Sequence, residues 1–197
     1  STCPETKDND FTWKDFQARN NSELVAIYGN FANRVLSLIK KYYDGKIPKV
    51  ESKKRVDELV LEDVKVLKEE IESNLDSFKF REATKNLMNI ARIGNKYLAE
   101  TEPWKIKESD PLRVEQILHT SFIIISYLAI VSEPFLPFTS VKLKNMIGLN
   151  DYSWDDLDKI FGTINYNFTI VDIEILFKRI EDSEIEYQID KLKKSAS

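Results

Sequence analysis

The chain has 197 residues, a formal net charge of −4, 42% apolar residues and 31% charged residues. That is enough apolar sequence for one buried core, and the charge excludes a protein that coats nucleic acid through bulk positive potential. With 1 Cys (Cys3) and 1 His (His119), it cannot hold an internal disulfide or a Cys/His zinc site, and no metal site is expected.

A Ser-His-Asp or Cys-His arrangement would need His119, which lies in an apolar helical run and reads as a core or flank residue. Cysteine poverty fits a reducing cytoplasm. No secretory signal opens the sequence, and the most apolar run, 122–131, is too short to span a bilayer. Neither a membrane nor DNA is expected as a partner. Only 5 Gly and 6 Pro are present, so the elements should be long and the loops few.

Residues 1–10 are polar, and Asp10 or Thr12 should cap a short helix over 13–19. Asn20-Asn21-Ser22-Glu23 reads as a break followed by a fresh start, with Asn21 or Ser22 as the new N-cap. A long amphipathic helix over 22–43 follows, with Leu24, Ile27, Tyr28, Phe31, Val35, Leu38 and Tyr42 on its inner face. Asp44-Gly45 ends it, with Pro48 beyond, and 46–55 is a basic connector. That connector reads as a solvated loop, with phosphate contact the alternative.

A second helix over 56–75 carries Val60, Val64, Leu67, Ile71 and Leu75 inward. A third over 79–101 buries Phe80, Ala83, Leu87, Ile90, Ala91, Gly94 and Leu98, with Gly94 allowing close helix contact. Pro103 ends it. The fourth starts at Asp110-Pro111, runs to about Ser132, and is apolar almost all round from Phe122, as befits the centre of a bundle. Short helices over 138–147 and 151–161, an extended segment over 165–177 that packs back, and a charged terminal helix over 181–194 complete the chain. The expected fold class is all-α: an antiparallel bundle of four long helices with shorter ones attached.

Two places carry candidate chemistry. Asn30 and Arg34 are four apart on the first long helix, at the edge of its buried face. An amide and a guanidinium stacked there could read base edges through planar, paired hydrogen bonds. On this stretch alone the plainer reading is an ordinary polar flank with Arg34 paired to a carboxylate. Trp104 follows a helix end beside Pro103, with Lys105 and Lys107 adjacent. It reads as a stacking platform for an unpaired base or as a hydrophobic plug under a loop.

Together these residues resemble the anticodon-binding domain of methionyl-tRNA synthetases, over nearly the whole chain. The resemblance is carried by Asp15-Phe16, Asn21-Ser22-Glu23-Leu24 and Gly29-Asn30 through Arg34. It continues in Asn95-Lys96-Tyr97, Glu102-Pro103-Trp104, Pro134-Phe135-Leu136-Pro137, Ile175-Leu176-Phe177 and Ile180-Glu181. It implies recognition of the CAU anticodon loop of tRNA(Met), with Asn30 and Arg34 bonding to the loop and Trp104 stacking on the wobble cytosine. Pro103, Lys41, Lys96 and Lys105, with Lys40, would support the RNA.

The resemblance also implies a parent enzyme that attaches methionine to its tRNA using ATP, with Mg. Neither of the synthetase signature motifs nor a nucleotide-binding Gly-rich loop occurs in this sequence. The chain is therefore expected to be a non-catalytic fragment without a cofactor of its own, whose partner is the N-terminal catalytic domain. Residues 1–20 would be the connector to that domain and 21–197 the helical bundle. Lys178 stands where many relatives have proline, which bears on the local turn alone. Two other readings are a helical protein–protein interaction module and the anticodon domain of another class I synthetase, for isoleucine, valine, leucine or cysteine.

Overall fold

The computed structural model describes residues 10–160 and 164–195. Helix α1 is Trp13–Arg19, and a π-helical stretch over Asn20–Gly29 joins it to α2, Asn30–Tyr43. Then come α3 (Arg55–Asp76), α4 (Phe80–Thr101), the single turn α5 (Pro103–Ile106) and α6 (Pro111–Val131). Helix α7 is Pro137–Ile147, a 3₁₀ turn covers Trp154–Lys159, and α8 is Asp182–Ser195. Among the described residues the one β contact is an isolated antiparallel bridge between Lys46 and Thr169.

The all-α bundle of four long helices is present, with α6 at its centre. From Ile117 to Ser132 every residue of that helix and its cap is buried, while α2, α3, α4 and α7 pack around it. Helix α6 is 21 residues long and contains an 18-residue window of mean hydropathy 1.6, so it has the length and composition of a membrane span, because the helix extends well beyond its most apolar run. Here its apolar circumference is satisfied by other helices.

Its start follows from the sequence. The Asp110 side chain accepts from the Arg113 backbone N–H at 3.0 Å, and Pro111 takes the first helical position, where no N–H is needed. Thr12 likewise caps α1 by accepting from the Asp15 N–H at 3.1 Å.

The expected break at 20–23 is absent. Arg19 and Asn20 keep right-handed helical angles, and the chain turns on through the π-helical stretch. The two asparagines serve the other end of the protein. Asn20 donates to the Lys178 carbonyl at 3.0 Å, while Asn21 donates to the Ile180 carbonyl at 2.8 Å and accepts from its N–H at 2.9 Å. Asparagine offers a donor and an acceptor together, so it satisfies a strand-like backbone as readily as a helix start.

Further differences follow from packing. The buried line of α2 advances as Phe31, Val35 and Ile39, with Ala32 and Leu36 beside it, whereas Leu38 and Tyr42 are half-buried. A pattern alternating threes and fours drifts round a helix of 3.6 residues per turn, so the face that meets α6 leaves Leu38 and Tyr42 at its edge. Phe80 is 40% exposed rather than inward and lies edge-on to Phe78. The element at 151–161 is a 3₁₀ turn, begun as expected at Ser153, whose hydroxyl donates to the Asp156 carboxylate; Phe161 lies outside the described residues.

Gly94 does permit close contact: a Cβ there would lie 2.2 Å from the Phe31 ring. The extended segment packs back as expected. Ile170 donates to the Gly45 carbonyl at 2.9 Å, and Phe177 meets Tyr28 edge-on at 5.3 Å.

Terminal helix α8 finds its surface on α1, where Gln17 donates to the Asp182 carboxylate at 2.8 Å.

Candidate nucleic-acid interface

The turn bearing Trp104 is built by backbone conformation. Pro103 denies Glu102 the right-handed helix, and Glu102 adopts left-handed angles (φ 40°, ψ 55°) that close α4 and open α5. Pro103 is buried, and Trp104 keeps 38% of its surface exposed. It is therefore no plug. The Arg34 guanidinium carbon lies 5.1 Å from the centre of the indole, within cation–π range.

Arg34 has no carboxylate partner among the described residues, so the polar-flank alternative with an ion pair does not describe it. Asn30, one turn earlier and exposed, approaches the Asn95 side chain at 3.5 Å, the long limit of a hydrogen bond. Asn95 is fixed from behind by donating to the Ile27 and Ala91 carbonyls at 2.9 and 3.0 Å. The structure thus brings Asn30, Arg34 and Trp104 to one surface, although 70 residues of sequence separate Arg34 from Trp104.

The expected supporting cations differ among themselves. Lys105 pairs with Glu102 at 2.8 Å and Lys96 with Glu100 at 3.7 Å, all on solvated surface. Such pairs are worth roughly 0–1 kcal/mol, so a phosphate could exchange for either carboxylate. Lys40 is turned to the Val171 carbonyl. Lys41 leans over the Tyr42 ring at 5.7 Å.

In the basic connector, Ile47 and Pro48 are buried, and Arg55 pairs with Glu58 and Glu62 at 3.3 and 3.2 Å. The segment is therefore a solvated surface anchored by two apolar residues.

The helices on either side of the turn share a cluster that hydrophobic spacing did not reveal. The Asp57 carboxylate is fully buried and accepts from Arg113 at 2.6 and 2.8 Å and from the Tyr97 hydroxyl at 2.6 Å. Tyr97 stands on the last turns of α4 and Arg113 on the first turn of α6. The two residues bracket the Trp104 turn and tie it to α3. Burial pushes the Asp57 carboxyl up, but bonds from Arg113, Tyr97 and the Lys54 backbone hold it below the usual range. Burial and the same carboxylate push the Tyr97 phenol up. A signal did exist: Asp57 precedes Leu61 by four and Val64 by seven, which places it on the inner face of α3.

His119 is a core residue, as expected. Its Nδ1 lies 2.9 Å from the Pro48 carbonyl, its ring stacks on Tyr166, and burial lowers its pKa. A hollow of about 860 Å³ lies elsewhere, between residues 10–24 and α4, lined by Phe11, Phe16, Arg81 and Arg92 among others. It includes neither Arg34 nor Trp104. The cation–aromatic site is a surface, which suits a single-stranded loop better than a small molecule.

The fold is shared with solved methionyl-tRNA synthetases. The apo enzyme of Mycobacterium tuberculosis superposes with a TM-score of 0.84 at 21% identity, over 91% of this chain and 37% of that one. The same organism's enzyme in complex with methionyl-adenylate gives 0.81 at 22% identity, over 88% and 35%. In sequence, the family described as the anticodon binding domain of methionyl tRNA ligase matches residues 47–195, and class I (M) tRNA synthetases match residues 1–36. Methionine–tRNA ligases of Phocaeicola vulgatus and Cytophaga hutchinsonii are each 50% identical over 192 residues. The chain belongs to the family of methionyl-tRNA ligase anticodon-binding domains. Those alignments cover 98% of this chain and 28% of either relative.

Proposed function

We propose that this chain reads the CAU anticodon loop of a methionine tRNA, within a longer polypeptide that joins methionine to that tRNA. One observation carries the reading: Arg34 lies over the exposed Trp104 indole, with Asn30 one turn away on the same surface. The indole offers a face to the wobble cytosine, and base–aromatic stacking is worth about 1–3 kcal/mol. Arg34, displaced from the ring, and Asn30 supply in-plane hydrogen bonds to base edges. Lys41, Lys96 and Lys105 attract the flanking phosphates, and Pro103 holds the indole in place. The local cations thus offset a net charge of −4.

Among the described residues, the glycines do not fit the phosphates of ATP and its Mg. At each described glycine the space a side chain would take is closed by the chain's own atoms: Phe177 at Gly29, Ile170 at Gly45, Phe31 at Gly94 and Phe168 at Gly148. None leaves a phosphate cradle of the kind a Gly-rich loop makes. The chain's role in the ligase is binding, with residues 1–20 leading to the catalytic part in the cytoplasm.

The test is a titration at stated low salt with a CAU anticodon stem-loop and a matched GAU loop, followed by tryptophan fluorescence. Phosphate attraction is common to both loops. Preference for CAU by tenfold, about 1.4 kcal/mol, is the expected result. Equal binding of both would move the reading to another tRNA, and binding of neither would remove it from this chain.

A further inference from the structure

Helix α2 and the segment after Pro103 meet a second time, two turns beyond Arg34. The Lys107 ammonium lies 4.6 Å from the centre of the Tyr42 ring, and Lys41 approaches the same ring at 5.7 Å. The arrangement repeats the Arg34–Trp104 contact with the roles exchanged. At the first place the cation comes from α2 and the ring from the segment after Pro103. At the second the ring comes from α2 and the cation from that segment.

Tyr42 is half-buried, at the edge of the face that α2 turns to the core. Lys107 is only loosely held elsewhere, at 4.0 Å from Glu108, a carboxylate that is almost fully exposed. The pair is therefore an aromatic face with movable cations, which is how proteins hold single-stranded nucleic acid: the ring takes a base, and the cation takes its phosphate.

We propose that Tyr42, with Lys107 and Lys41, is a second stacking seat for the same RNA strand. The proposal rests on the anticodon reading above and adds a contact outside Asn30, Arg34 and Trp104. Arg34 and Tyr42 are eight residues apart on one helix, roughly 12 Å at 1.5 Å per residue. Stacked neighbours in a nucleic-acid strand are separated by about 3.4 Å. The two seats therefore hold bases that are not stacked on each other, in a loop splayed along α2. Tyr42 offers a π-face and one rotatable hydroxyl in place of a fixed planar donor–acceptor pair, so its seat accepts any base.

The same stem-loop titration tests it. Tyr42→Phe keeps the ring and should bind like the parent. Tyr42→Leu should weaken CAU and GAU loops alike by roughly tenfold or more, with circular dichroism and thermal midpoint matching those of Tyr42→Phe. Lys107→Met should reduce the slope of log K against log salt by about 0.7, the value for one phosphate on a single strand. That slope still decides the matter if Tyr42→Leu fails to fold. Equal affinities of the Leu and Phe variants, or an unchanged slope in Lys107→Met, would overturn the second seat. If Trp104→Ala weakens CAU binding while Tyr42→Leu does not, the seat falls and the anticodon reading stands. If the parent binds neither loop, both fall.

Discussion

Arg113 and Arg34 stand on neighbouring helices, and their surroundings give them opposite roles. Arg113 is 7% exposed and bonds twice to a carboxylate that is wholly out of water. Arg34 sits at the rim, over an indole 38% exposed, with no carboxylate among the described residues. In the interior, two charges that have lost their hydration must satisfy each other, and the arrangement tolerates no exchange of partner. At the rim, water screens the guanidinium and its contact with the ring is weak, about 0.5–1 kcal/mol. A weakly held cation can be moved by a ligand, and the buried one cannot. The same residue type thus supplies a fixed frame in one place and an available binding group in the other. The frame joins the two helices, α4 and α6, that flank the turn carrying Trp104.

That contrast can be broken most severely from the inside. Asp57→Ala would leave the Arg113 charge buried without its partner and should cost about 3–5 kcal/mol, read as a lower denaturant midpoint. Acid should weaken the same cluster. Asp57 titrates below its usual range when folded, so its contribution is complete above the unfolded value near 3.9 and is lost as pH falls through the folded value. His119 acts in the same direction at higher pH. Burial lowers its folded pKa, so the folded state binds fewer protons. Its contribution is complete above about 6.5 and declines as pH falls toward the folded value. Unfolding midpoints measured from pH 7 to pH 3 should therefore fall in two stages, and His119→Gln should remove the first.

Next in size is Gly94→Ala, whose Cβ would lie 2.2 Å from the Phe31 ring. Overpacking costs about 1–3 kcal/mol and should outweigh the roughly 1 kcal/mol that alanine gains over glycine in a helix. A stabilised variant would show that α2 and α4 can separate freely.

At the rim the effects should appear in binding and hardly in stability. Trp104→Ala should weaken the CAU stem-loop by about 1–3 kcal/mol while the unfolding midpoint stays close to the parent's. Unchanged affinity in a folded variant would take Trp104 out of the interface. The smallest effect belongs to Glu102→Ala, which removes the exposed pair with Lys105 and should change stability by less than about 1 kcal/mol. It should also tighten stem-loop binding slightly, because Lys105 is then free for phosphate.

The amino-acid sequence by itself determined the four long helices, the central position of α6 and the caps at Thr12, Ser153 and Asp110-Pro111. These depend on apolar spacing and local hydrogen bonding, which act within a few residues. It also showed that Asn30 and Arg34 share a helix face and that Trp104 follows a proline-held turn. Tertiary structure alone decided the rest. Asn20-Asn21-Ser22-Glu23 read as a break and a fresh helix start because an asparagine's local options are visible in sequence, whereas the backbone of Lys178 and Ile180 is not. Phe80 read as inward because its spacing fits, but at the first turn of α4 it keeps 40% of its surface in solvent. The Asp57–Arg113–Tyr97 cluster joins three helices, and the Arg34–Trp104 and Tyr42–Lys107 contacts join two distant segments. Such pairings are fixed by how the helices pack around α6, a property that no single stretch of the chain contains.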